Sequence, residues 1–325
     1  MSLPKRSLVG WGRLLLPPVL LAFLGWHFYR SFKSLEESDS RALIASIPAW
    51  SWIVCAGLYL AGILASAAYW RMLMAACGHS VPPLAAGRAF LVSQMGKYVP
   101  GKGLALLIRA GMVRDHQVPM TIGLATGMIE VLWTMAVGSM LALIVACSLE
   151  WAGGFAVSTD PWLVPKLLAI VAITLVPAWP SWSIRLARAS ARRLGFDAGD
   201  NPFHFSARQL ASGAMVVALG WLLLSMSLIA LIEGIAPGSA WKLALPALAW
   251  VPLANVGGFI ASTPGGLGVR EYLLQQALLP ELGPERALLA SLLLRIVWTV
   301  AEVASALVMW LLWRKKIPAS ARGTS

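Results

Sequence analysis

Charge is what this sequence has least of. Only 12% of its 325 residues are Asp, Glu, Lys or Arg, where a soluble globular chain carries about a quarter. That scarcity excludes an ordinary water-facing surface. Cysteine is sparse too. The three present, Cys55, Cys77 and Cys147, are scattered through apolar stretches, which excludes a disulfide scaffold and a thiolate zinc site. Four histidines (His27, His79, His116, His204) show no ligand spacing, so no metal is expected. No Ser/His/Asp or Cys/His constellation emerges, so neither an enzyme nor a cofactor is expected. What the chain has is apolar bulk: 58% hydrophobic residues, 16 Trp and a mean hydropathy of +0.74. Such a composition belongs in a bilayer, with indoles at its interfaces.

The net charge is +12. In a soluble protein that would suggest nucleic acid. Here the basic residues cluster between apolar runs, so anionic lipid and membrane orientation explain them and no nucleic-acid partner is expected. Lys5, Arg6 and Arg13 precede an apolar run with no small-x-small cleavage site, which reads as a retained first helix. A hydrocarbon core of about 30 Å needs roughly 20 apolar residues in a helix. Six spans are expected, at about 11–29, 50–70, 119–148, 163–184, 209–232 and 286–313. The basic N-terminus, the arginines 185–193 and the C-terminal Arg314, Lys315 and Lys316 place both termini on the cytoplasmic side of a cytoplasmic membrane. The acidic segment 149–162 belongs outside.

Two apolar regions remain, 82–114 and 240–285. Charge at their ends requires each to contain an even number of crossings. Each breaks in its middle at a helix-stopping motif, Val99-Pro100-Gly101 and Thr263-Pro264-Gly265-Gly266. The economical solution is two re-entrant hairpins that dip in from opposite faces; a full double crossing is the alternative. The expected fold is therefore an all-α polytopic membrane protein of one domain over 1–325. Shifting Pro100 by 164 residues gives Pro264, and the same shift carries spans of the first half onto the second. An inverted repeat follows, about 11–148 and 163–313, the plan of many transporters.

The stretch Gly96-Lys97-Tyr98-Val99-Pro100-Gly101-Lys102-Gly103 is one residue from a nucleotide P-loop, but Gly103 stands where the magnesium-binding hydroxyl belongs. The physics of a helix start survives: unpaired N–H groups near Gly103 and near Leu267 face inward. With Lys97 and Lys102 they form an anion site inside the membrane, and a lipid phosphate is the natural anion.

The sequences GKYVPGKGLALLIRAG and STPGGLGVREYLL together resemble the transmembrane region of lysylphosphatidylglycerol synthases, a flippase-like family of bacteria and archaea. The matching positions are Gln94, Gly96, Lys97, Tyr98, Pro100, Gly101, Lys102, Arg109, Glu130, Pro264, Gly265, Gly266, Gly268, Arg270, Glu271 and Arg295. The resemblance implies a lipid-translocating membrane domain with re-entrant helices. In bifunctional members a soluble aminoacyl-transferring domain follows; here the sequence runs twelve residues past Trp313, and aminoacyl transfer is not carried over. The expected partners are membrane lipids, together with a separate lipid-modifying or glycan-synthesising enzyme as a further option; the oligomeric state is left open. The rival functions are a membrane enzyme on a lipid-linked substrate and a non-transporting scaffold for a lipid or glycan synthase.

The candidate lipid-binding set is Lys97, Tyr98, Pro100, Gly101, Lys102, Arg109, Pro264, Gly265, Gly266, Gly268, Arg270 and Glu271. Arg109 has a topology-setting role as its alternative, Lys97 and Lys102 snorkelling to the interface, and Arg270–Glu271 a local hairpin salt bridge. Charges within spans cost about 2.5–3.5 kcal/mol each on insertion scales, so Glu130, Arg295 and Glu302 need an account. Arg295 and Glu302 lie roughly 10 Å apart on one helical face, too far to pair directly. Either can meet Glu130 or a hairpin charge, as a structural lock or as a headgroup or proton site. Trp70, Trp241 and Trp310 are expected near span ends; Trp133, Trp221, Trp250 and Trp298 inside the bundle.

Overall fold

A computed structural model of the protein describes residues 40–98, 103–151, 163–179, 206–261 and 264–314, with isolated positions between 181 and 192. The expected first span at 11–29, the hairpin tip Pro100, Gly101 and Lys102, and the lysines 315 and 316 lie outside the described residues. Among the described residues every regular element is helical. In chain order these are α1 (Ser40–Ser46), α2 (Ala49–Ala76), α3 (Pro83–Ser93), α4 (Gly103–Met112), α5 (Met120–Trp151), α6 (Leu163–Ala178), α7 (Ala207–Ile235), α8 (Ala240–Ile260) and α9 (Val269–Arg314). A 3-10 turn Gln94–Tyr98 continues α3, and another, Pro264–Gly266, joins α8 to α9.

The long helices follow from uninterrupted apolar sequence closed by local signals. Ser206 begins α7 with a reciprocal cap: its Oγ accepts from Gln209 N–H at 3.2 Å, and Gln209 Oε1 accepts from Ser206 N–H at 2.9 Å. Among the described residues five helices, α2, α5, α7, α8 and α9, are long and apolar enough to cross a membrane. Four of them cover the expected spans 50–70, 119–148, 209–232 and 286–313 to within one residue. The fifth, α8, was expected as a hairpin limb; its 21 residues reach about 31 Å. Pro246 and Pro252 sit inside it without ending it, because neighbouring helices can satisfy the freed backbone groups. By contrast α4 has ten residues and reaches about 15 Å, half a crossing. α6 is 16 residues long, shorter than the expected 163–184. α9 turns at Gly283 into two segments.

Large apolar side chains on the outside, such as Ile53, Met215, Ile173 and Val300, are more than half exposed. Helices that are apolar all round fit lipid rather than water. In lipid, association depends on close packing and interhelical hydrogen bonds, not on the hydrophobic effect. α2 and α7 form the most extensive pairing, and they cross where Gly62 and Gly220 meet. A Cβ on Gly62 would lie 3.0 Å from the Gly220 carbonyl oxygen, and one on Gly220 would lie 3.2 Å from that of Gly62. Ser51 Oγ donates to the Ala230 carbonyl at 2.7 Å further along the same seam.

Several further pairings come in matched sets. α5 packs on α8 as α9 packs on α3; α2 packs on α3 as α7 packs on α8; α2 meets α5 and α9, and α7 meets α9 and α5. Exchanging the two halves of the chain leaves these pairings unchanged, whereas the packing of α5 on α6 has no counterpart among the described residues. The tryptophans differ in burial, with Trp133 and Trp250 half-buried. Trp241 and Trp310 are exposed and Trp221 and Trp298 are buried, but Trp70 is completely buried and donates to Thr126 Oγ1 at 3.1 Å. The helix containing it runs on to Ala76, so its indole faces a neighbour instead of the interface.

Candidate functional site

The two broken segments meet. The turn Pro264–Gly266 lies against the 3-10 turn Gln94–Tyr98: a Cβ on Gly265 would come within 3.1 Å of the Tyr98 ring and 2.7 Å of Arg295 Nη2. Gly265 has φ +59, a left-handed conformation that side-chain-bearing residues rarely adopt. The sequence thus places glycine where both the backbone and the space require it. Tyr98 and Arg295 are buried beneath, with Arg295 Cζ 5.6 Å from the Tyr98 ring centre.

Three charged nodes radiate from this junction. The first centres on Glu302 of α9, 1% exposed. Its Oε1 is paired with Lys97 and accepts from Tyr59 Oη, while Oε2 accepts from Tyr98 Oη at 2.8 Å. Tyr98 Oη also lies 3.2 Å from Thr299 Oγ1. Tyr59 is held for this task by stacking on Trp298, ring centres 4.5 Å apart.

The second node joins α4 to α5. Arg109 Nη1 is 2.6 Å from Glu130 Oε2, and Arg109 Nε donates to Ser93 Oγ at 3.3 Å. The guanidinium lies 3.8 Å from the Phe90 ring centre and 5.3 Å from that of Trp70. Glu130 Oε1 accepts from Thr134 at 3.2 Å. The topology-setting reading of Arg109 is corrected here: it is 3% exposed and bound to a carboxylate, not at an aqueous edge.

The third node surrounds the start of α9. Glu271 does not form the local pair with Arg270. Its Oε2 accepts from Gly268 N–H at 2.7 Å, capping the helix, and Oε1 lies 3.5 Å from Arg295 Nε. That contact is an ion pair too long for a good hydrogen bond, and among the described residues Arg295 Nε and Nη2 have no hydrogen-bond partner. Arg270 Nη1 is 3.4 Å from the Gly265 carbonyl, and its guanidinium lies 5.7 Å from the Trp298 ring centre. Among the described residues no carboxylate forms an ion pair with Arg270. Arg295 and Glu302 thus each meet a hairpin charge, as their spacing suggested, and Glu130 meets neither.

Part of each node borders one cavity of about 470 Å³. Lys97, Gly103 and Arg109 line it from the first broken segment, and Asn255, Gly265, Gly266 and Arg270 from the second. Glu130, Tyr59 and the Gly62–Gly220 crossing of α2 with α7 complete the wall. Lys97 is therefore cavity-facing rather than snorkelling, with a quarter of its side chain exposed. The start of α4 at Gly103 opens onto the same space. Pro100, Gly101 and Lys102 fall outside the described residues, and of Pro264 only its place in the turn is described.

Sequence reasoning missed Tyr59, Ser93, Phe90, Thr134 and Asn255. Tyr59 had a usable signal: a phenol in the middle of an apolar span needs a partner. Phe90 and Ser93 carried none, because nothing in their own stretch tells which neighbour they face.

No curated protein matches the chain in sequence. The family model described as the lysylphosphatidylglycerol synthase TM region matches residues 13–316. With its long apolar helices the protein is a multi-pass membrane protein, and the chain belongs to the lysylphosphatidylglycerol synthase TM region family.

Proposed function

We propose that the cavity binds the phosphate-bearing headgroup of an anionic lipid, either a phospholipid or a polyisoprenoid lipid, and passes it between the leaflets of a cytoplasmic membrane. The observation that carries this reading is that residues flanking the first break, Lys97 and Gly103, and glycines of the second, Gly265 and Gly266, line one cavity with three cations in its wall, Lys97, Arg109 and Arg270. Arg270 is the cation without a carboxylate of its own among the described residues, and hence the natural first contact for a phosphate. The helix start at Gly103 adds backbone donors to the same rim. The volume suits a headgroup rather than a whole lipid, so the acyl chains stay in the bilayer.

In this reading 82–114 and 240–285 are hairpins inserted from opposite faces, with both termini cytoplasmic. The exchangeable pairing pattern of the helices supports an inverted repeat about the α2–α7 seam. The partners are lipids and no chemical step is involved; an enzyme that makes or uses the lipid would act separately.

The test is headgroup transfer of a labelled anionic phospholipid in proteoliposomes. Lys97→Ala combined with Lys102→Ala, and Arg270→Ala alone, should each abolish transfer while the protein still inserts. Transfer at the unaltered rate in both would end this reading.

A further inference from the structure

Lys97 stands between two anion positions, and the protein itself fills one of them. Its ammonium lines the cavity, whereas its partner Glu302 lies behind the wall, almost wholly buried. Glu302 draws three donors from two elements: Tyr59 of α2, and Lys97 and Tyr98 of the 3-10 turn. Only one of the three, Lys97, brings a charge.

Resting on the headgroup reading above, we propose that Glu302 is the resident stand-in for the lipid phosphate, and that a phosphodiester entering the cavity takes Lys97 over and leaves Glu302 to bind one proton.

The physical argument is electrostatic. A buried carboxylate stripped of its cation is strongly destabilised, and it relieves the loss by taking a proton. The Tyr59 and Tyr98 hydroxyls stay in place; as rotors they can accept from the new carboxylic acid as well as donate to its other oxygen. The balance closes: one phosphodiester anion enters, one proton from water adds to a Glu302 oxygen, and the ammonium changes partner. The charge of the site is the same loaded and empty. A carrier working in a low-dielectric membrane gains from this, because no extra charge moves with the headgroup. On release the order reverses and the proton leaves.

Among the described residues, the charged and titratable groups bonded to Glu302 are Tyr59, Lys97 and Tyr98. Arg295, two turns earlier on α9, lies over the Tyr98 ring and has Glu271 as its carboxylate. α3, α7 and α8 contribute no member of this hydrogen-bonded set.

The experiment titrates the purified full-length protein with dihexanoyl phosphatidylglycerol by calorimetry, in buffers of unlike ionisation heat, from mildly acid to mildly alkaline pH. Wild type should take up close to one proton per lipid wherever Glu302 is ionised in the empty site. Because binding consumes a proton, affinity should rise on acidification, by up to about tenfold per pH unit. Glu302→Gln should bind with no proton uptake, holding at every pH the affinity that wild type reaches only in acid. Preference for this lipid over dihexanoyl phosphatidylcholine without proton uptake overturns the exchange and leaves the headgroup reading standing. No preference between the two lipids overturns both. Undiminished uptake in Glu302→Gln places the proton elsewhere and overturns the role of Glu302. Should that variant not fold, Lys97→Gln serves instead: it should bind weakly and without proton uptake, and uptake at the wild-type level would overturn the proposal.

Discussion

At the scale of single residues, the buried charges divide by what they touch. Arg109 and Glu130 are each 3% exposed and satisfy one another, with Ser93 and Thr134 taking up further bonding positions. Breaking a buried pair leaves one charge uncompensated and costs about 3–5 kcal/mol, whereas replacing both by apolar groups is often neutral. Arg109→Leu and Glu130→Leu should therefore each lower the Tm of the detergent-purified protein sharply, and the double substitution should recover most of the loss. Additive losses would mean the pair is not coupled. The sequence already marked Glu130, Arg295 and Glu302, because a charge in an apolar span is costly whatever surrounds it. Their partners were not legible. Arg109 and Glu130 lie 21 residues apart on different helices, and Lys97 and Glu302 are 205 apart. Helical periodicity tells which residues share a face, not which face another helix will meet.

At the scale of elements, the breaks matter more than the helices they interrupt. Gly265→Ala should disable lipid transfer, because its Cβ would meet Arg295 Nη2 at 2.7 Å and the Tyr98 ring at 3.1 Å in a backbone already left-handed. Gly268 provides the control. It too has positive φ, +81, but open space around it, so Gly268→Ala should show only the backbone cost of about 1–2 kcal/mol. Thermal stability separates strain from clash: a larger Tm loss in Gly265→Ala than in Gly268→Ala, with transfer lost only in Gly265→Ala, would fit. Equal transfer in the two variants would show that contact between the turn and Arg295 is unimportant. Both breaks could be read directly from Pro-Gly, since proline ends a helix and glycine allows the reversal. The length of α8 could not. Proline ordinarily interrupts a helix, yet α8 runs through Pro246 and Pro252 and is packed against α5, α7 and α9.

At the scale of the whole molecule, the matched helix pairings and the short α4 favour two segments entering from opposite faces, but α8 is long enough to cross by itself. Labelling with a membrane-impermeant maleimide distinguishes the arrangements. The background needs Cys55, Cys77 and Cys147 replaced, although Cys77, whose thiol burial pushes up to about 11, should react slowly at neutral pH in any case because little thiolate is present. Ser80→Cys and Asp115→Cys, at the exposed ends of the first hairpin, should label from the cytoplasmic side only. Glu281→Cys, exposed near the Gly283 kink, should label from the other side. Ala261→Cys, exposed at the end of α8, settles how deep that limb reaches. In a re-entrant hairpin it resists label from the cytoplasmic side, since the cavity stands between it and that face. Rapid cytoplasmic labelling of Ala261→Cys would mean that α8 crosses fully, and both the opposed hairpins and the inverted repeat built on them would have to be given up. Labelling of Ser80→Cys and Glu281→Cys from one and the same side would remove them as surely, because two hairpins entering from one face cannot be related by a two-fold axis in the membrane plane.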